Sequence, residues 1–139
     1  MPNKFFDIET YRFSKHDRFL VDANVLLLVY GPIGPEGDSR VGKYSRAIKN
    51  AITAKSQMYV DAVVMTEFAN RYLHLRKNQT EGWQSRKMKE FREADSYAEV
   101  AEEMLSGIKA ILKRFQPLDT PFSGIKNNTF ISSIKQGLV

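Results

Sequence analysis

Asp22 is the residue most able to do chemistry in this chain. It sits in Arg18-Phe19-Leu20-Val21-Asp22-Ala23-Asn24-Val25-Leu26-Leu27, where apolar residues run straight into an acid and an apolar helical pattern follows. A carboxylate buried without a partner is costly, so this one must be solvated, hydrogen-bonded or bound to a metal. The carboxyl end of a strand in an open α/β sheet is also where ligands bind. Asp22 is therefore either the start of a metal site or a helix cap. Glu67 is the second informative acid, in Val60-Asp61-Ala62-Val63-Val64-Met65-Thr66-Glu67-Phe68-Ala69-Asn70. It falls in the first turns of a helix leaving a strand, among apolar neighbours. If the two strands are adjacent and parallel, Asp22 and Glu67 belong to one rim and are expected to point into one cleft. A divalent cation would relieve their repulsion, and Mg2+ suits a site with few oxygen ligands and room for a phosphate. The competing role for Glu67 is an i,i+4 ion pair with Arg71.

The elements that must position these acids alternate between strand and helix. Arg18–Val21 has the pattern of a short buried strand. A helix over Ala23–Tyr30 is stopped by Gly31-Pro32. Residues 31–43 are rich in Gly and Pro and predict a loop. Tyr44–Lys55 predicts a helix, Gln57–Val60 a second strand, and Ala62–Leu75 another helix. Ser96–Phe115 is the clearest helix, with Tyr97, Val100, Ala101, Met104, Leu105, Ile108, Ile111, Leu112 and Phe115 at a 3.6 period. Gln116-Pro117-Leu118 suggests a third strand, and Thr129–Gln136 a last helix before Gly137. Strands separated by helices predict a parallel α/β sheet with right-handed crossovers.

Other motifs carry less. Gly37-Asp38-Ser39-Arg40-Val41-Gly42-Lys43 has P-loop spacing, but Tyr44 replaces the Ser or Thr that would hold Mg2+ and no strand leads into it. His16 and His74 have no cysteine partners and no metal-ligand spacing. Trp83, with Tyr72 nearby, could stack on a base or anchor a core. Ser132-Ser133 has no triad context.

The chain has 139 residues, enough for one domain with a real core. With no cysteine it has neither disulfides nor thiolate chemistry. The longest apolar run, Val25–Tyr30, is too short to span a bilayer, and the N-terminus lacks the apolar core of a signal peptide. A cytoplasmic protein with no membrane partner is expected. The net charge is +5. Seven bases (Arg71, Arg76, Lys77, Arg86, Lys87, Lys89, Arg92) face two acids (Glu81, Glu90) between residues 71 and 92, and five face Asp119 alone between 109 and 139. Such clustering suits either a solvated helix face or a polyanionic partner.

Phe19-Leu20-Val21-Asp22-Ala23-Asn24-Val25-Leu26-Leu27, followed by Val63-Val64-Met65-Thr66-Glu67-Phe68, resembles the PIN domain, the metal-dependent nuclease fold of VapC-type toxins and RNA-processing nucleases. The resemblance runs roughly from residue 17 to 119. It implies a PIN-like, Rossmann-like parallel sheet flanked by helices, in a single domain over residues 1–139. Asp22 and Glu67 would hold Mg2+ or Mn2+, and Asn24 would support them. Arg71, Arg76 and Lys77 would meet RNA phosphates, with binding that weakens steeply as salt rises. The implied function is a Mg2+-dependent endoribonuclease, of the toxin–antitoxin kind with an antitoxin protein as partner. The family's third acid, which starts a helix after the third strand, and its closing strand are missing before Val139, so the fold is expected to be C-terminally incomplete. Two acids alone should hold the metal weakly and cleave little. The strand edge so exposed should be covered by a second copy of the chain, as in a homodimer, or by further residues. The alternative is a non-catalytic nucleic-acid-binding or protein-interaction module on a degenerate scaffold.

Overall fold

A computed structural model describes residues 6–33 and 37–118. Three short strands, β1 (Arg18–Leu20), β2 (Gln57–Val60) and β3 (Gln116–Pro117), form one sheet in the order β1-β2-β3. Both pairings are parallel, with Phe19 opposite Met58 and Tyr59 opposite Gln116. The helices are α1 (Ala23–Tyr30), α2 (Arg40–Thr53), α3 (Ala62–Gln79), α4 (Met88–Glu93) and α5 (Tyr97–Arg114). The expected α/β class and parallel neighbours are present. The predicted helix over 129–136, Asp119 and Ser132-Ser133 lie outside the described residues. No described helix is long and apolar enough to cross a membrane.

Successive strands step in one direction across the sheet, and α1 packs on α2, α3 and α5. The register puts Phe19 and Met58 on one face, and Met58 and Val60 are buried there. Leu20 and Tyr59 share the other face, where Leu20 is 59% exposed. The core lies beneath the first face. Phe68, Met65 and Leu73 of α3 meet Met104, Leu105, Ile108 and Ile111 of α5, all fully buried. The α5 stripe buries the residues its 3.6 period marked. Gly107 allows α5 to approach α1 closely, since a Cβ there would lie 3.2 Å from the Tyr30 carbonyl.

Helix ends differ from the periodicity where polar side chains take over. α2 begins at Arg40, not Tyr44. The Asp38 carboxylate accepts the Arg40 backbone N–H at 2.9 Å, and Val41 joins the buried face two turns before Ile48. Gly42 and Lys43 are therefore helical, and the P-loop spacing forms no phosphate-cradling loop. α2 ends at Thr53 because Lys55 turns left-handed, at φ 60°. Its N–H bonds to the Ile52 carbonyl, and that of Ser56 to Ala51, which closes the helix as a Schellman motif. α3 runs on to Gln79, beyond Leu75, because Lys77 is buried and Thr80 bonds back to the Arg76 carbonyl at 2.7 Å. α4 is too short to leave a period. It is held by Phe91, which is fully buried and packs edge-on against Trp83.

Candidate metal centre

Val-Asp-Ala occurs twice, at residues 21–23 and 60–62, each time joining a strand to a helix. The β1–β2 register carried past Leu20 and Tyr59 sets the two aspartates at matching places on the same rim. Their side chains do different things. Asp61 caps α3, its carboxylate accepting the Val64 N–H at 2.7 Å. Asp22 occupies the same cap position on α1, and its carbonyl accepts the Leu26 N–H at 3.2 Å. Its carboxylate makes no cap bond. Asp22 is exposed, so solvent satisfies its carboxylate in place of a cap bond. Asp22 lines a groove with Phe19, Leu20 and Val25.

Glu67 lies one and a half turns into α3, with its side chain 48% exposed. It lines a shallow depression with Ala62, Val63, Thr66 and Asn70, distinct from the groove beside Asp22, so the two acids do not share the one cleft expected of them. The Thr66 hydroxyl is committed to its own helix, donating to the Ala62 carbonyl at 2.8 Å. Arg71 connects Glu67 back to α1. Its Nη1 is 3.6 Å from Glu67 Oε1 and donates a short hydrogen bond to Asn24 Oδ1. The i,i+4 pair is thus present, and Asn24 acts by holding Arg71. The rim carries a chain of contacts, Asn24–Arg71–Glu67, with Asp22 two residues before Asn24.

The other expected phosphate ligands are placed differently. Arg76 is tied to Glu103, Nε to Oε2 at 2.8 Å and Nη2 to Oε1 at 3.2 Å. Lys77 requires a correction. It is only 5% exposed, and its ammonium donates to the Trp83 and Gln84 carbonyls at 2.8 and 3.3 Å. A buried cation spent on two backbone oxygens cannot meet a solvent-borne phosphate. Trp83 is an anchor, half-buried against Phe91 with the Arg86 guanidinium 3.8 Å over its ring. His16 and His74 are both exposed.

Three carboxylates, Asp22, Asp61 and Glu67, belong to this rim, and one oxygen of Asp61 is taken by its cap bond. Among the described residues no group of three or more His, Asp or Glu side chains converges on one point. Sequence reasoning missed Asp61 and its capping role, although the repeated Val-Asp-Ala marks it. No protein-family model matches the chain, and neither a curated protein nor a solved structure is significantly similar to it.

Proposed function

We propose that the rim of the sheet is a Mg2+-dependent endoribonuclease centre of the PIN type. The observation that carries this reading is the contrast between two equivalent aspartates. Asp61 is spent on its helix, whereas the Asp22 carboxylate makes no cap bond. Hard carboxylate oxygens fit Mg2+, which takes one or two protein carboxylates and keeps its other positions for water and phosphate. Asp22 and Glu67 would hold the ion, which when bound supplies Lewis-acid activation of a phosphodiester and of water. Arg71 provides a positive charge beside Glu67, and Asn24 fixes its orientation. That charge suits a transferring phosphate. Two protein ligands hold a cation loosely, so cleavage by these 139 residues should be slow and require a high Mg2+ concentration. A VapC-type toxin role and its antitoxin partner follow from the resemblance alone.

One observation favours a rival reading. Glu67 already faces Arg71 within the chain, an arrangement that also serves a non-catalytic RNA-binding module. Cleavage of a labelled single-stranded RNA at rising Mg2+ decides between them. The nuclease reading expects slow cleavage, blocked by chelator and lost in Asp22→Asn and in Glu67→Gln. RNA binding without cleavage at any Mg2+ concentration, equal in all three proteins, supports the rival.

A further inference from the structure

α1 and α3 leave the same rim and keep in step. Asn24 contacts Arg71, and the Pro32 carbonyl accepts from Gln79 Nε2 at 2.9 Å, both pairs 47 residues apart in sequence. Between them lies a cavity of about 300 Å3, also lined by Arg40 at the start of α2. That volume is at the small end for ligand sites. Leu27, Leu28 and Leu75 form its apolar floor. Arg71, His74, Leu75 and Asn78 are spaced i, i+3, i+4 and i+7, so one face of α3 supplies a whole wall.

We infer that this cavity binds one nucleotide of an RNA strand, its phosphate on Arg71 and Arg40 and its base over Leu75 with an edge toward His74 and Asn78. That the nucleotide belongs to RNA rests on the ribonuclease reading. Both contacts of Arg71 use Nη1, so among the described residues its Nη2 and Nε have no partner. A planar guanidinium with donors to spare suits a phosphate. Arg40 is held by Asp38 through three hydrogen bonds of 2.6 to 3.2 Å, yet its side chain is 64% exposed. Those bonds use Nε and Nη2, so a phosphate would meet Nη1 and share the guanidinium with Asp38. His74 and Asn78 are exposed on the wall. An imidazole and an amide can both donate and accept, which is what reading an unstacked base requires. A simple anion would have no use for the leucine floor. Arg71 joins this cavity to Glu67, so a nucleotide seated here lies beside that acid.

The test is a titration of the 139-residue chain with uridine 5′-monophosphate, adenosine 5′-monophosphate, uridine and inorganic phosphate, read by calorimetry and by NMR shifts of the His74 ring. At least one monophosphate should bind about tenfold or more tightly than phosphate or uridine alone and shift His74. Arg40→Gln and Arg71→Lys should each weaken it about tenfold, the lysine keeping charge but losing the fork. Asn78→Ala, on the exposed wall, should change the preference between the two bases and leave the fold intact. Asp22→Asn should leave mononucleotide binding unchanged. Binding by wild type and Asp22→Asn alike, with no RNA cleavage, would end the ribonuclease reading and leave the nucleotide site standing. Phosphate binding as tightly as either monophosphate, an unmoved His74, or no effect of Arg40→Gln would overturn the site.

Discussion

Asp22 and Asp61 occupy the same local structure and should respond oppositely to mutation. Asp61→Ala removes a carboxylate that caps α3 and should cost about 1 kcal/mol. Asp22→Asn removes no cap bond and should leave the free energy of urea unfolding within about 0.5 kcal/mol of wild type. A large loss at Asp22 would mean that its carboxylate is structural. Asp38 offers a pH test. The Arg40 side chain bonded to it, aided by the Arg40 backbone N–H, lowers its pKa from 3.8 to about 2. A lowered carboxylate pKa means that the contact is fully present above 3.8 and is lost as pH falls through about 2. NMR titration of the Asp38 carboxyl should show that midpoint, and Arg40→Gln should return it toward 3.8. At this scale the sequence marked the Glu67–Arg71 ion pair and left the role of Asp22 open. An acid after Phe-Leu-Val marked Asp22, and Glu67-x-x-x-Arg71 marked the ion pair. It could not tell which of two Val-Asp-Ala aspartates would cap, because that depends on a side-chain torsion. Nor could it show Lys77 turning inward, because the carbonyls it meets belong to a loop brought back by Trp83 and Phe91.

Elements were most legible where one pattern acted alone. α1, β2 and the buried stripe of α5 follow from apolar spacing and from the Gly31-Pro32 stop. Gly31 is required there, since a Cβ would fall 2.3 Å from the Leu27 carbonyl oxygen. The start of α2 and the end of α3 were less legible because side-chain bonds from Asp38, Lys77 and Thr80 set them, and α4 because it is too short to leave a period. Lys55 is the clearest local conflict, a non-glycine residue at φ 60° in the C′ position of a Schellman motif. An L-residue pays roughly 1–2 kcal/mol for that conformation relative to glycine. Lys55→Gly should therefore stabilise the protein, by up to about 1 kcal/mol once the freer unfolded chain is counted. Equilibrium urea unfolding measures this directly, and a loss of stability would show that the Lys55 side chain makes a larger contribution than its geometry suggests.

The whole molecule carries a net charge of +5, but its basic stretch is less available than its composition implied. Arg76 is paired with Glu103, Arg86 with Glu90, and Lys77 is buried. RNA binding should weaken with salt, with a log–log slope well short of the roughly −5 that seven neutralised phosphates would give on a single strand. Fluorescence anisotropy across a salt series measures it, and a slope near that value would show those ion pairs opening on RNA. The sheet adds a second molecular feature. β1 has no neighbour on its outer edge among the described residues, and Leu20 is exposed there. That edge was legible in outline, since the parallel order of strands follows from their alternation with helices. What covers it depends on chain beyond β3 or on another molecule. The central claim is that Asp22 and Glu67, which line separate depressions, serve one cation. Mn2+ titration followed by paramagnetic broadening of the protein's NMR signals tests this without relying on catalysis. Signals of Asp22, Asn24, Glu67 and Arg71 should broaden together at the same Mn2+ concentration, and Asp22→Asn should protect all four. Broadening at Glu67 that persists in Asp22→Asn, or no selective broadening at the rim, would contradict a shared metal centre.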